Sequence, residues 1–191
     1  MTRLDRQLAF LTEADRLKTI IRATTLADGS RRENSAEHSW HLSLYALVLA
    51  DQAGPDVDIN TVLKMLILHD LVEIDAGDNP IFGAVDTQKM QAQEAVAADR
   101  LFGMLPTDQA AELRAIWEEF EAAQTPSAQF AKALDRAQPP MQNLASGGGS
   151  WIEYNVSPET IEARVAPAIK RGAPQLWIWL QSRIDDFFRN N

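Results

Sequence analysis

Apolar residues recur along this chain at three- and four-residue steps, and no window of strand length alternates cleanly between apolar and polar positions. The pattern therefore predicts an all-α protein. Leu4, Leu8, Leu11, Leu17, Ile20 and Ile21 form a first amphipathic stripe, broken at the turn-rich Ala27-Asp28-Gly29-Ser30. Asn34-Ser35-Ala36-Glu37 then has the form of a capping box, with Asn34 offering its side-chain oxygen to the first turn and Glu37 able to reach back. The second helix carries His38, Leu42, Tyr45 and Leu49 on one stripe and stops at Gly54-Pro55. A third spans about Asn60 to Ala76, is apolar around most of its circumference, and so reads as a buried central helix with Gly77 as its C-cap. Asn79-Pro80 forces an extended turn beyond it.

Further helices are expected at about Thr87 to Gly103, Asp108 to Ala123, Pro126 to Ala145, Pro158 to Arg171 and Pro174 to Phe188. Three of them open on proline, where the missing N–H costs no hydrogen bond. Ser146-Gly147-Gly148-Gly149-Ser150 is the one low-complexity run; it lacks the Lys-Ser/Thr signature of a phosphate-cradling loop and reads as a flexible connection. At 191 residues and 46% hydrophobic content, with no long linker, the chain reads as one domain over 1–191.

Composition narrows the chemistry. There is no cysteine, so disulfides, thiolate zinc sites, iron–sulfur clusters and a cysteine nucleophile are excluded together, and any metal must use nitrogen and oxygen ligands. The first ten residues carry Arg3, Asp5 and Arg6 and lack the uninterrupted apolar core of a signal peptide, and no segment approaches a membrane span, so a cytoplasmic location without a membrane partner is expected. A formal net charge of −9 argues against a nucleic-acid polymer as partner. The charge is uneven: residues 16–32 hold Arg16, Lys18, Arg22, Arg31 and Arg32 against Asp28 alone, a patch suited to a small anion.

The run Leu66-Ile67-Leu68-His69-Asp70-Leu71-Val72-Glu73 places an imidazole beside a carboxylate in an apolar stretch. Buried charges require partners or a metal, and His with Asp suits a divalent ion. His69 and Glu73 are four apart and share a helix face, while His38 and His41 are three apart and neighbours on another. The chain has only these three histidines.

Glu37-His38-Ser39, His69-Asp70 with Glu73 and Gly77-Asp78, and Ala133-Leu134-Asp135 together resemble the H…HD…D pattern of the HD-domain metal phosphohydrolases, with the closest similarity to the bacterial 5'-deoxynucleotidase branch. The resemblance covers roughly residues 5–185, with the core motif region at about 34–140 and the helices at about 158–188 completing a helical bundle. It implies that His38, His69, Asp70 and Asp135 bind one divalent metal, of which Mn, Co, Fe, Zn and Mg all accept the ligand set. It further implies that Glu73 orients or deprotonates the attacking water and that Asp78 stands beside the leaving sugar oxygen, with the acid and base roles left open between them. Arg22 is the first choice for holding the phosphate, as the counterpart of an arginine near the end of the family's first helix; Arg31 and Arg32 are second choices.

The function so implied is metal-dependent hydrolysis of (deoxy)nucleoside 5'-monophosphates, a small-molecule nucleotide substrate, by a homodimer. The alternatives are a phosphodiesterase or pyrophosphohydrolase acting on a signalling nucleotide, or a non-catalytic nucleotide- or metal-binding regulator. Binuclear relatives draw on extra histidines, and only His41 remains here, for which a supporting or packing role is expected. Alarmone hydrolases carry adjacent Glu-Asp where this chain has Glu73-Ile74-Asp75, and Asp75 reads as a solvent-facing residue. The five tryptophans read as core or interface.

Overall fold

A computed structural model describes residues 1–83 and 86–190. Helices dominate. They run α1 (Arg3–Ala14), α2 (Ser35–Val48), α3 (Ile59–Leu68), α4 (Glu73–Ala76), α5 (Thr87–Gly103), α6 (Thr107–Ala122), α7 (Pro126–Ala145), α8 (Ser150–Glu153), α9 (Pro158–Arg164), α10 (Ala166–Gly172) and α11 (Pro174–Asn190). The capping box at the start of α2 forms in full, with Asn34 Oδ1 accepting from the Glu37 backbone N–H and Glu37 accepting from that of Asn34. Within the described residues no helix is long and apolar enough to cross a membrane.

Three differences from the periodicity matter for the site. First, the stripe from Leu4 to Ile21 is not one helix. It becomes a 3₁₀ turn at Asp15–Thr19 and then a strand, β1 (Ile21–Thr25), paired antiparallel with β2 (Arg32–Asn34). The register shifts between the Ile21–Asn34 and Thr25–Arg32 pairs, so the ribbon carries an irregularity at the residues around Arg22. β-branched Ile21, Thr24 and Thr25 favour this extended path, in a segment too short for alternation to reveal it.

Second, the central helix changes its winding at the His-Asp pair. His69–Val72 form a 3₁₀ turn between α3 and α4, which closes at Gly77 with φ +77°. Third, the glycine run is a built turn. Gly147, Gly148 and Gly149 all have positive φ, and the Asn143 side chain accepts from the Ser150 backbone N–H at 3.0 Å, so the expected flexible connection is an ordered one. The helix expected at 158–171 is likewise two, α9 and α10.

α7 is the spine. Leu42 and Ala46 of α2, Met65 and Leu66 of α3, Phe120 of α6 and Phe130 and Leu134 of α7 form one fully buried cluster. On its other side Ala137 joins Trp151, Ile161, Ile169, Trp177 and Leu180. α10 approaches so closely that a Cβ on Gly172 would lie 2.0 Å from the Gln129 carbonyl oxygen, which only glycine permits. Side chains on the face of α7 that carries Asp135 are thereby held from both sides, and Asp135 itself is buried.

Candidate metal centre

Three elements converge on one buried spot. α2 brings His38, the 3₁₀ turn brings His69 and Asp70, and α7 brings Asp135; one ligand atom from each of His38, His69 and Asp135 lies within 4.8 Å of the others. Asp70 adjoins them, its Oδ1 2.9 Å from His69 Nε2 and its Oδ2 accepting from Arg22 Nη1 at 2.9 Å. Trp117, a core residue, donates its indole N–H to the His69 carbonyl at 3.2 Å and steadies the turn on which both ligand candidates sit.

The hydrogen bonds around the two imidazoles tell their nitrogens apart. His69 Nδ1 lies 2.9 Å from the Leu66 carbonyl oxygen, which can only accept, so Nδ1 carries a proton. Nε2 is then the nitrogen turned to the cluster, buried without a hydrogen-bond partner and facing Asp70 Oδ1 and, at 3.8 Å, Asp135 Oδ1. His38 meets acceptors on both sides. Its Nδ1 faces Gln138 Oε1 at 3.1 Å and Glu33 Oε2 at 3.4 Å, while its Nε2 lies 3.1 Å from Asp135 Oδ1; burial and Arg22 would lower its pKa, but Asp135 and Glu33 raise it above the ordinary value. Imidazole nitrogens and carboxylates crowded into one buried spot need a proton or a cation among them. The donor set, two imidazoles with oxygen ligands and no sulfur, fits a divalent ion.

Arg22 comes from β1 and is nearly enclosed. Besides Asp70, its guanidinium lies 3.6 Å from Asp78, 3.7 Å from Glu73 and 3.7 Å from Glu33. Burial would lower its pKa, but the surrounding carboxylates raise it above its ordinary value. Asp135 is held well below the usual carboxylate range: burial pushes it up, and Arg136 with the two histidines outweighs that. Glu73 moves the other way, raised well above its ordinary value by burial and by Asp70, against Arg22 and a 2.6 Å hydrogen bond donated by Ser35 Oγ. Asp78 is raised too, chiefly by burial. Side by side, then, are carboxylates held ionised and carboxylates disposed to carry a proton.

Arg22, His69, Asp70, Glu73, Asp78 and Asp135 floor a cavity of about 180 Å³, whose wall adds Arg136, Lys132, Phe82, Glu94 and Tyr154. Arg31 and Arg32 lie elsewhere. Arg31 pairs with Glu37 and Arg32 with Glu153, both at the surface and neither lining the cavity, which leaves Arg22, Lys132 and Arg136 as its cations among the described residues. Asp75 pairs with Arg100 at the surface. His41 supports rather than joins the cluster, its Nδ1 3.2 Å from Gln138 Nε2.

Sequence reasoning overlooked Glu33, Gln138, Lys132 and Arg136. A signal was present, since Asp135, Gln138 and Gln142 at i, i+3 and i+7 make a polar stripe on a helix face that is otherwise core. Pro139 and Pro140 mark the same turn: neither has an N–H for the carbonyls of Asp135 and Arg136 four residues back.

Comparison with known proteins gives this geometry a lineage. A crystal structure of a predicted metal-dependent phosphohydrolase from Magnetospirillum magnetotacticum MS-1 is similar with a TM-score of 0.91 and 45% identity, covering 98% of this chain and 96% of that one. Among curated relatives, the 5'-deoxynucleotidase HDDC2 of Bos taurus is 26% identical over 132 residues, 69% of this chain and 63% of its own length. The match thus spans less than two thirds of that relative. The HDDC2 of Danio rerio is 26% identical over 162 residues, 82% of this chain and 80% of its own. The model of one family, described as HD domain, matches residues 14–177, a span that contains His38, His69, Asp70 and Asp135 together, and this chain belongs to the HD-domain family.

Proposed function

We propose that this protein is a metal-dependent phosphomonoesterase that hydrolyses (deoxy)nucleoside 5'-monophosphates to nucleoside and phosphate. The observation that carries this reading is the buried convergence of His38 Nε2, His69 Nε2 and Asp135 Oδ1 beside Glu73 and Asp78, next to a cavity whose wall carries Lys132 and Arg136. The names of the curated relatives supply the substrate class. His38, His69, Asp70 and Asp135 hold one divalent ion, which, when bound, polarises a phosphoryl oxygen and lowers the pKa of water.

The chain's own groups do the rest. Glu73, positioned by Ser35, takes a proton from the attacking water, for which a raised pKa makes it the stronger base; Asp78 gives one to the departing sugar oxygen. Arg22 keeps four carboxylates within reach of one another, and with so many anionic partners it has little capacity left for phosphate. Arg136, 3.7 Å from Asp135, and Lys132, paired with Glu121 at 3.0 Å, are less heavily engaged and are the cations that receive it. Phe82 and Tyr154 give the nucleoside apolar surface on the same wall.

The test is phosphate release from a panel of deoxy- and ribonucleoside 5'-monophosphates by the Mn²⁺-loaded protein, with a cyclic dinucleotide and a nucleoside triphosphate as controls. Turnover of the monophosphates alone is expected. Exclusive turnover of the controls would replace this reading with the diesterase or pyrophosphohydrolase one, and no turnover at all with the regulator.

The active form is a homodimer in this reading. An apolar groove of about 480 Å³ runs between α2 and α11, lined by Leu44, Val48, Leu176 and Trp179, with Trp40 and Leu47 exposed on α2. Light scattering is expected to give twice the mass of the chain, and Val48→Glu to halve it; a monomer in the unsubstituted protein rules the dimer out.

A further inference from the structure

Glu33 is 1% exposed, carries a carboxylate and has no part in the chemistry above. Burying an ionised group costs several kcal/mol unless partners compensate, so its partners indicate what it is for. Its Oε1 accepts from Gln138 Nε2 at 2.8 Å and from Gln142 Nε2 at 3.0 Å. A carboxylate accepts and does not donate, so the nitrogen side of the Gln138 amide must face Glu33 and the oxygen side must face His38. The second amide hydrogen goes to His41 Nδ1 at 3.2 Å, which uses both donors and leaves the amide no reason to flip. His38 Nδ1 therefore meets acceptors only, Gln138 Oε1 and Glu33 Oε2, while Nε2 faces Asp135 Oδ1 at 3.1 Å, so without a metal the two sides of the ring compete for one proton.

We propose that Glu33 and Gln138 form a relay that locks His38 as its Nδ1–H tautomer and aims the Nε2 lone pair at the metal. Both are positioning residues: neither reaches the cluster itself, and each acts through His38. The proposal rests on the reading of His38 as a ligand, and it explains why β2 pairs with β1. The ribbon places Glu33 beside α2 and α7 at the point where the His38 ring passes between them. His69 needs no such device, because a main-chain carbonyl of its own helix, that of Leu66, does the same work. A histidine on α2 whose Nδ1 points away from its own helix has to borrow acceptors from other elements.

The experiment uses the full chain with its three histidines ¹⁵N-labelled, stripped of metal, at a pH alkaline enough to leave imidazole neutral. Long-range ¹H–¹⁵N correlation reads each tautomer, and Mn²⁺ titration reads affinity. The unsubstituted protein is expected to show His38 with the proton on Nδ1 against the pull of Asp135 on Nε2, and an Nε2–H form there would overturn the relay. Gln138→Leu removes one acceptor and Glu33→Leu/Gln138→Leu removes both; His38 should shift toward the Nε2–H form, and Mn²⁺ affinity should fall about 10-fold and about 100-fold respectively. Gln138→Glu keeps an acceptor on Nδ1 and should keep the tautomer.

An Nδ1–H tautomer that persists in the double variant overturns the relay, whether or not affinity falls, because loss of affinity alone would then be general damage. A changed tautomer with unchanged Mn²⁺ affinity instead overturns His38 as a ligand, separating failure of the relay from failure of the proposed function. If the double variant does not fold, Gln138→Leu alone decides on the same two readouts.

Discussion

Asp135→Asn is expected to empty the protein of divalent metal and to lower phosphate release by about 10³-fold or more, the scale at which loss of a preorganised electrostatic group is felt. Asp135 Oδ1 is the carboxylate oxygen that faces both imidazole Nε2 atoms, 3.1 Å from that of His38 and 3.8 Å from that of His69. The amide of asparagine offers one neutral oxygen and one N–H group. Turned inward, that N–H would donate to the His38 lone pair and occupy the position a cation needs. The side chain is the same size, so the fold should persist. Elemental analysis after dialysis against Mn²⁺ reads the metal, and near-unit occupancy in Asp135→Asn would remove this residue from the ligand set.

Glu73→Gln should behave differently, with kcat falling by about 10²–10⁴ while metal content stays at the level of the unsubstituted protein. Glu73 lies 3.7 Å from Arg22 and accepts from Ser35, and it is not among the three residues whose ligand atoms cluster. Glutamine keeps an oxygen for Ser35 but can neither carry the negative charge nor take a proton. A kcat within a few-fold of the unsubstituted value would exclude Glu73 as the base and leave proton transfer to Asp78. A loss of metal alongside the loss of rate would make it a ligand.

The expected contrast between these two variants is physical in origin. Asp70 and Asp135 are held ionised by arginine and histidine neighbours that outweigh their burial, as a metal ligand must be. Glu73 and Asp78 share the same cavity and the same Arg22, yet burial dominates and both are raised. One arginine divided among four carboxylates cannot serve them all equally. The pair left with the weaker share is the pair suited to moving protons.

Much of this was legible from residue order. Caps and proline positions set the starts of α2, α5 and α7, since a capping box and a proline at the first helical position act through the backbone of their own turn, whereas α2 ends at Val48, before the Gly54-Pro55 stop. His38, His69, Asp70 and Asp135 stood out because each is a polar residue set among positions that read as core. Gly77 closed the central helix as expected, for it alone tolerates the positive φ found there.

What depended on contacts across the chain was not legible. Ile21–Thr25 is helical by periodicity and extended in the molecule because β2, eleven residues from Arg22 to Glu33 along the chain, supplies its hydrogen bonds. Arg31 and Arg32 resembled phosphate ligands by position, but Glu37 and Glu153 hold them at the surface. Glu33 and Gln138 looked like ordinary polar residues until folding placed them 2.8 Å apart behind His38. The sequence by itself determined most of the helices, their starts and the residues able to bind a metal, because propensity, capping and residue chemistry act within a few positions. Only the tertiary structure decided which nitrogen of His38 and His69 faces the cluster, which carboxylates stay charged and which cations face the cavity, because those depend on groups brought together from α2, α7 and the β ribbon.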